Sequence, residues 1–305
     1  MKVLLVGGNG FIGSNLILKL LEDGHKVKVY DRSDSRYLGR MAGVEYVQGE
    51  LGNTGLMRSS LQDINLVYHL ASTTIPETSN EDPAFDVVSN VADTIHMLDE
   101  CVAAGVKRVV FISSGGAVYG IPQSTPISED HSTEPICSYG ITKLAIEKYL
   151  ALFKRLYGLD YLVLRLSNPF GPYQNPQAKQ GAVSVFMYKV LNKLPITIWG
   201  DGSVVRDYIY IEDAVEALLV ALKKEGKERH IYNISSGRGM SLKEVMAHIE
   251  KITGIEARVE YTPARPLDVP VNILDNSLAK EYLGWQPKFS FEDGLKRTRE
   301  WMLKV

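Results

Sequence analysis

Short apolar runs alternate with longer amphipathic stretches through the first half of the chain. The apolar runs predict strands at 1–6, 26–30, 44–48, 66–71, 108–113 and 161–166. The amphipathic stretches predict helices at 14–21, 85–104 and 139–157. Strands that alternate with helices in this order predict a parallel sheet with helices on both faces.

The pattern loosens after Asn168, where residues 169–207 are rich in proline, glycine and glutamine with one helical stretch near 183–192. Regular patterns then predict strands at 208–211, 231–235 and 258–261, a helix at 213–222 and a last helix from Phe291. Ser241 and Glu244 form a capping-box signature at the start of a further helix. We therefore expect a large domain, 1–168 plus 207–236, and a smaller lobe, 169–206 plus 237–305.

Composition excludes several classes of protein. A chain of 305 residues with 45% hydrophobic and 23% charged residues is long enough for a large buried core. The net charge of −2 gives no excess of positive charge of the kind that binds nucleic acid. The six histidines are scattered, so no metal site is expected, and no apolar run is long enough for a transmembrane segment. With only two cysteines, Cys101 and Cys137, we expect a reduced cytoplasmic protein, although a disulfide between them is an alternative.

Gly7, Gly10 and Gly13 lie between the first predicted strand and the first predicted helix. A tight turn, close approach of the backbone to a phosphate and packing of the helix on the strand each need a glycine at this spacing. The helix N-terminus then offers free N–H groups to a pyrophosphate. A glycine-rich turn without a ligand is the alternative. The context favours a dinucleotide site in a Rossmann-like, doubly wound parallel α/β sheet, with the smaller C-terminal lobe binding substrate.

Asp31 ends the second predicted strand, roughly 20 residues after the glycines, where a carboxylate can accept a hydrogen bond from a ribose 2′-hydroxyl. A 2′-phosphate at this position would meet like charge, so we expect NAD rather than NADP. Arg32 leaves the alternative open, because a guanidinium can receive a phosphate.

Tyr139 and Lys143 are four residues apart, so they share one face of a predicted helix. Moving a tyrosine pKa from ~10 to ~7 takes about 4 kcal/mol. A cation ~4 Å away supplies on the order of 4 kcal/mol at an effective dielectric near 20. The positive charge of an oxidised nicotinamide would add to this, and we therefore expect the pair to supply a base near neutral pH. An amphipathic surface helix without chemistry is the alternative.

Further motifs accompany these two: His69-Leu70-Ala71, Asn90, Ser113-Ser114, Val118-Tyr119-Gly120, Arg165, Asn168-Pro169-Phe170-Gly171-Pro172, Arg206-Asp207-Tyr208 and Arg265-Pro266-x-Asp268. In this order they make almost the whole chain similar to the extended short-chain dehydrogenase/reductases, and among them to the UDP-galactose 4-epimerase family of nucleotide-sugar enzymes.

The resemblance implies an NAD cofactor and a set of residues around it. The implied cofactor contacts are Gly7, Gly10, Phe11, Ile12, Gly13, Asp31, Arg32, Glu50, Leu51, Leu70, Ala71, Ser72, Asn90, Ser113, Tyr139 and Lys143. Within this set Glu50 and Leu51 border the adenine, and Lys143 touches the nicotinamide ribose. The implied substrate contacts are Thr73, Asn168, Arg206, Arg265, Asp268 and Asn272. Asn168 and the two arginines are expected to hold the diphosphate, since arginine suits phosphate through bidentate bonds.

Gly115 departs from the family pattern, in which a serine or threonine at this position donates a hydrogen bond to the reacting sugar oxygen. Losing such a bond costs ~1.5–3 kcal/mol, or roughly ten- to 150-fold in rate. We expect Ser114 to take over this catalytic role, with Thr73 and Thr74 as alternatives. Related 4,6-dehydratases carry Asp-Glu in place of Gly116-Ala117, and decarboxylating relatives carry Glu in place of Ala117, so dehydration and decarboxylation are not expected.

The resemblance therefore implies 4-epimerisation of a nucleotide sugar by transient oxidation at C4, with Tyr139 moving the proton of the 4-hydroxyl. Two other functions stay open: an NAD-binding regulatory protein without turnover, because Gly115 lacks the hydroxyl, and a 4-keto-sugar reductase that consumes external NADH.

Substrate and assembly are expected only by resemblance. Asn272 stands where a bulky aromatic residue in the family tends to exclude a 2-acetamido group, so N-acetylated sugars are expected to fit; a residue that merely caps a turn is the alternative. The carrier is expected to be UDP, with a polyprenyl diphosphate as the alternative because the last helix mixes basic and apolar residues. Helices 85–104 and 139–157 often form a dimer contact in the family, so a homodimer is expected.

Overall fold

The computed structural model describes residues 1–178, 180–223, 229–265 and 268–305. Its strands are β1 (Lys2–Val6), β2 (Lys26–Asp31), β3 (Val44–Gln48), β4 (Leu66–His69), β5 (Arg108–Ser114), β6 (Asp160–Leu166), β7 (Asn168–Phe170), β8 (Ile196–Trp199), β9 (Val205–Tyr210), β10 (Ile231–Ile234), β11 (Gly239–Ser241), β12 (Val259–Thr262) and β13 (Val271–Asn272). Its α-helices are α1 (Phe11–Glu22), α2 (Thr54–Ser60), α3 (Pro83–Asp86), α4 (Asp93–Ala103), α5 (Ser138–Tyr157), α6 (Ala182–Leu191), α7 (Ile211–Lys223), α8 (Leu242–Thr253) and α9 (Phe291–Met302). Two π-helical segments are Val87–Ala92 and Ala279–Leu283.

Seven parallel strands form the main sheet in the order β10-β6-β5-β4-β1-β2-β3. Alternate residues of β1 face opposite sides, as the period of a strand requires. Leu5 packs in one core cluster with Leu16 of α1, and Leu4 packs in the other with Ile146 of α5. The sheet is therefore covered on both faces, and the predicted Rossmann-like α/β fold is confirmed. The strand order reverses between β1 and β4, where sheets of this kind bind ligands at the carboxyl ends of their strands.

A second, smaller set of strands lies beside the main sheet. The pairs β11–β9, β9–β13 and β7–β9 join four strands, and β8 pairs with β12. Strand β9 runs across the expected domain boundary at residue 207. Helix α9 buries Leu295, and its Trp301 ring lies 5.0 Å from the ring of Tyr37 and 5.6 Å from that of Tyr173. The last helix thus packs on the protein, which does not favour the alternative of a polyprenyl diphosphate carrier.

The predicted strands of the main sheet are confirmed, within one or two residues at each end. The helical stretch predicted at 85–104 is confirmed, since helical structure runs without a break from Pro83 to Ala103, with the π-helical segment Val87–Ala92 between α3 and α4. The strand predicted at 208–211 ends one residue earlier, since Ile211 opens α7. Pattern analysis missed α2 and β8, and it also missed β7, β11 and β13, whose two or three residues are too few to show a period. Along the described ranges, no helix is both long and apolar enough to cross a membrane.

Candidate active site

The glycine turn between β1 and α1 is shaped by its own backbone. Gly7 has φ +81°, and a Cβ there would lie 2.6 Å from the Ala71 nitrogen. A Cβ on Gly13 would lie 2.3 Å from the Gly8 carbonyl oxygen. A Cβ on exposed Gly10 would come no closer than 3.5 Å to its nearest neighbour, the Gly7 carbonyl oxygen. Gly7 and Gly13 are thus required for folding, whereas Gly10 leaves backbone open for a ligand directly before the free N–H groups of α1.

Asp31 lies beside this turn. Its carboxylate accepts hydrogen bonds from the Asn9 backbone N–H at 2.9 Å and from the Ser33 backbone N–H at 3.1 Å. The Arg32 side chain is exposed next to it. A carboxylate held at the end of β2 next to a glycine cradle is the arrangement that a dinucleotide with a free 2′-hydroxyl needs.

The other expected cofactor residues fall into two groups. Glu50 is exposed and accepts a hydrogen bond from the Tyr30 hydroxyl through its carbonyl, while Leu51 is buried. Phe11, Ile12, Leu70, Ala71 and Ser72 lie on α1 and in the loop after β4, all partly buried except for exposed Ser72. The structure therefore brings the predicted residues to the carboxyl edge of β1, β2 and β4.

The loop after β4 is fixed by Asn90 of the π-helical segment. The Asn90 side-chain oxygen accepts the Thr73 backbone N–H at 3.0 Å, and its amide nitrogen donates to the Thr73 hydroxyl at 2.6 Å. The Thr73 hydroxyl also bonds to Ser89. The carboxamide of Asn90 thus shapes the loop, and a direct contact with the cofactor stays a prediction.

Tyr139 and Lys143 share one face of α5, as predicted from their spacing. The Lys143 ammonium lies 5.6 Å from the centre of the Tyr139 ring and donates a 3.1 Å hydrogen bond to the Ile112 carbonyl of β5. The Ser114 hydroxyl, at the end of β5, hydrogen-bonds to the Tyr139 phenol. Three proton-carrying groups therefore meet at the carboxyl end of the sheet.

The expected ionisation of this pair near neutral pH is wrong for the protein alone. Burial raises the pKa of Tyr139 to about 12, although the hydrogen bond from Ser114 opposes the shift. Burial also lowers the pKa of Lys143 to about 8, with Asp86 and Glu147 opposing. Removal from water disfavours both charged forms, and an ammonium 5.6 Å from the ring does not offset it. A further positive charge beside the phenol is needed before the phenolate forms near pH 7.

Ser113 is engaged inside the protein. Its hydroxyl donates at 2.6 Å to Glu147, which forms a buried ion pair at 2.7 Å with Arg165. Glu147 and Arg165 are 1% and 3% exposed. The Ser113 hydroxyl proton is therefore donated to Glu147 of α5, and a contact between Ser113 and the cofactor stays a prediction.

Gly115 has no room for a side chain. A Cβ there would lie 2.3 Å from Cδ1 of Leu274 and 3.3 Å from the Arg165 carbonyl oxygen. The direction is toward the core, where Leu274 is fully buried, and away from an open site. Of the candidate replacements, Ser114 bonds to Tyr139, whereas Thr74 is buried and donates to Asp86.

Asn272 is only 1% exposed, on β13. Its amide nitrogen donates at 3.1 Å to the Gly115 carbonyl, and its side-chain oxygen is buried without a partner among the described residues. It does not merely cap a turn, since it links the second sheet to the strand end that carries Ser114.

The expected anion-binding residues lie around β9. The Asn168 amide donates to the Asp207 carbonyl at 2.9 Å. The Arg206 guanidinium donates to two backbone carbonyls, and across the described ranges it forms no salt bridge with a carboxylate. Burial lowers its pKa below the ordinary arginine value. A half-buried guanidinium without a counter-ion is a suitable phosphate ligand.

Arg265 is placed differently from Arg206. Its guanidinium pairs with Asp268 at 3.4 Å and lies 4.3 Å over the Trp199 ring. Pro266, part of the same motif, lies outside the described residues. The two predicted substrate residues Arg265 and Asp268 therefore contact each other in the protein alone.

Sequence analysis missed Asp86, a fully buried carboxylate at the end of α3. The Ser138 hydroxyl donates to it at 2.6 Å from the first residue of α5. The pattern assigned this residue to an amphipathic helix, and an aspartate four positions before Asn90 was the only signal of a shared role. No group of three metal-ligating side chains is found in the described portion of the chain.

Comparison with known proteins adds to this geometry. The family model of the NAD dependent epimerase/dehydratase family matches residues 3–235. A UDP-glucose 4-epimerase of Mycolicibacterium smegmatis is 34% identical over 309 residues, covering 98% of each chain. A dTDP-4-dehydro-6-deoxyglucose reductase of Escherichia coli is 34% identical over 306 residues, covering 97% of this chain and 95% of the relative.

Solved structures are similar over the whole chain. A UDP-glucose 4-epimerase of Thermotoga maritima, crystallised with UDP-glucose, has a TM-score of 0.93 and 38% identity, covering 100% of this chain and 99% of the other. The UDP-glucose 4-epimerase of Thermus thermophilus in complex with NAD has a TM-score of 0.92 and 32% identity, covering 100% of both chains.

Proposed function

The chain belongs to the NAD-dependent epimerase/dehydratase family, and from this premise we infer that it is an NAD-dependent 4-epimerase of a UDP-sugar. The observation that carries the inference is the meeting of Tyr139, Lys143 and Ser114 at the same sheet edge as the glycine turn. Relatives and structural neighbours with this activity cover nearly the whole chain.

The residues around the glycine turn fit NAD. Gly7, Gly10 and Gly13 form the cradle for its pyrophosphate, and Asp31 is the acceptor for its adenosine ribose. When bound, NAD supplies a hydride acceptor and donor and, in its oxidised form, a positive charge. Because the pKa of Tyr139 lies at about 12 in the protein alone, that charge supplies the contribution that Lys143 cannot supply by itself.

The proton chemistry belongs to Tyr139 and Ser114. As phenolate, Tyr139 removes the proton from the sugar 4-hydroxyl and later returns it to the opposite epimer. Ser114 donates to the phenol oxygen and so stabilises the phenolate. Lys143 stays protonated below its pKa of about 8 and adds positive charge on the same helix face. The transient 4-keto sugar must turn over within the site between the two proton transfers.

Substrate recognition is assigned to the residues around β9. Arg206, which has no carboxylate partner in the described ranges, and Asn168 bind the diphosphate; Arg265 joins them when it exchanges Asp268 for phosphate. Thr73 borders the sugar from the loop after β4. Asn272 leaves more room than a bulky aromatic residue would, and this supports acceptance of a 2-acetamido group.

A 4-keto-sugar reductase is the second candidate, supported by the similar Escherichia coli reductase. The two functions differ in their use of cofactor: a reductase consumes external NADH, and an epimerase does not. The geometry around Tyr139 serves both, so the test must follow NADH as well as the sugar.

A homodimer in the cytoplasm completes the proposal. Exposed apolar side chains on α3, α5 and the π-helical segment between α3 and α4 support a contact between copies: Phe85, Val87, Val88, Ile141, Leu152 and Leu156. Light scattering of purified protein tests it, with Leu156→Glu expected to shift the mass toward the monomer. The division into an NAD-binding domain (1–168 plus 207–236) and a substrate lobe stays a proposal.

The test incubates purified protein with UDP-glucose or UDP-N-acetylglucosamine and follows the anomeric and H4 signals by NMR. The 4-epimers should form without added cofactor, and Tyr139→Phe should form none. Stoichiometric loss of added NADH on a 4-keto sugar would favour the reductase. Bound NAD with no turnover of any nucleotide sugar would favour the regulatory alternative.

A further inference from the structure

Asp86 lies where three segments meet beside the candidate active site. Its Oδ1 accepts hydrogen bonds from the Thr74 hydroxyl at 2.5 Å and from the Asn90 amide at 2.9 Å. Its Oδ2 accepts a hydrogen bond from the Ser138 hydroxyl at 2.6 Å, and the Thr142 hydroxyl, which lies 3.0 Å from the Tyr139 carbonyl oxygen, is 3.4 Å from the same Oδ2. One fully buried carboxylate thus ties together the loop after β4, the π-helical segment and the start of α5.

The N-terminus of α5 is not stabilised by side chains of the helix itself. The helix has no acidic residue in its own first turn, and Cys137 provides no side-chain cap. A negative charge near a helix N-terminus is stabilising because the first N–H groups carry partial positive charge. Asp86 supplies this charge from another helix, and its two contacts on α5 flank Tyr139.

The charge of Asp86 is not neutralised by a partner. The hydroxyl and amide groups that donate hydrogen bonds to its carboxylate are uncharged, and within the described ranges no salt bridge involves it. Glu147, the other carboxylate that acts on Lys143, is paired with Arg165. Asp86 therefore acts on the active-site groups as an unpaired negative charge.

We propose that Asp86 is a positioning residue, which holds the first turn of α5 and with it Tyr139 and Lys143 against the loop after β4. The inference rests on the proposed function for its kinetic consequences only. In a low-dielectric site a small displacement of the reacting groups is costly; about 1 Å is worth about 100-fold in rate.

The pH profile distinguishes this role from a purely structural one. Asp86 raises the pKa of both Tyr139 and Lys143, so its removal lowers both. The acid limb of the kcat profile, where Tyr139 must lose its proton, and the alkaline limb, where Lys143 loses its own, should both move to lower pH.

The other titratable groups that face Tyr139 and Lys143 should not change the acid or alkaline limb of the kcat profile. His69 is held neutral, because burial lowers its pKa to about 3. Burial raises the pKa of the Cys137 thiol. Glu147 keeps its ion pair with Arg165.

The experiment compares Asp86→Asn and Ser138→Ala with the control Asp82→Asn, which changes an exposed cap of α3 that does not touch α5 in the described contacts. For Asp86→Asn, kcat on UDP-glucose at the optimum of each profile should fall about 10- to 100-fold with little change in KM. Both limbs should move to lower pH. Ser138→Ala should lower kcat less and leave the limbs in place, because the charge remains. Asp82→Asn should match the unaltered protein.

Hydrogen exchange of the purified holoprotein tests, independently of turnover, whether Asp86 holds the first turn of α5. Amides of residues 139–143 should exchange faster in Asp86→Asn and in Ser138→Ala, and not in the control. Unchanged exchange in both variants, or unmoved limbs in Asp86→Asn, overturns the proposal. If Asp86→Asn does not fold, unchanged exchange in Ser138→Ala has the same consequence. If the unaltered protein forms no 4-epimer, the proposed function is contradicted. The hydrogen-exchange result still decides whether Asp86 positions the first turn of α5.

Discussion

Placing a serine at Gly115 should harm the protein and not improve it, although the family resemblance implies a hydroxyl there. A Cβ at this position would lie 2.3 Å from Cδ1 of Leu274 and 3.3 Å from the Arg165 carbonyl oxygen. Leu274 is fully buried against Val118 and Ile127, so its side chain cannot turn away freely, and the carbonyl belongs to a central strand. A new hydroxyl would therefore point into the core, away from Tyr139.

The magnitude follows from the cost of overpacking. Forcing extra atoms into a packed core costs typically about 1–3 kcal/mol of unfolding free energy. Gly116 provides the matched control, because a Cβ there meets only the Ser114 hydroxyl at 3.8 Å, an ordinary contact. Gly115→Ser should lose about 1–3 kcal/mol, and Gly116→Ser less than about 0.5 kcal/mol.

Urea unfolding of the two variants and a parallel measurement of kcat test this reasoning. Leu274→Ala combined with Gly115→Ser should cost less than the sum of the single changes, since each relieves the defect of the other. A Gly115→Ser protein as stable as the parent, or one with raised kcat, would refute the argument that the side chain at 115 points away from the reaction.

Three further outcomes are expected. Arg206→Lys should raise KM for UDP-sugar about ten-fold or more with kcat nearly unchanged, because a charge-assisted bond is worth about 1.5–3 kcal/mol; an equal loss in kcat would contradict a role in holding the diphosphate. Glu147→Gln should lower the unfolding free energy by about 3–5 kcal/mol, because the buried cation of Arg165 loses its partner, whereas Asp130→Asn, in an exposed pair, should cost less than about 1 kcal/mol. Turnover should fall as pH rises through about 8, where the Lys143 ammonium loses its proton; a rate that stays level from pH 7 to 10 would contradict this assignment.

Much of the fold was predictable because its signals are local. Strands β1 and β5 of the main sheet are nearly continuous apolar runs, and the glycine turn and the Tyr139–Lys143 spacing are set within a few residues. The strands β7, β11 and β13, of two or three residues, carry too few positions to show a period, so they were missed.

The parts of the site that pattern analysis missed depend on contacts across long sequence separations. Asp86 meets Ser138 across 52 residues, and Asn272 meets Gly115 across 157. The pKa of Tyr139 was wrongly expected near neutrality because spacing along a helix reveals a neighbouring charge but not burial.

The central claim is that a hydrogen leaves C4 of the sugar and returns to the same carbon without meeting solvent or external cofactor. UDP-glucose carrying deuterium at C4, incubated with the protein and analysed by NMR and mass spectrometry, tests it most directly. We expect UDP-galactose that retains the deuterium at C4, and none from Tyr139→Phe. Replacement of the deuterium by hydrogen in the product, or failure to form product unless NADH is added, would contradict the claim.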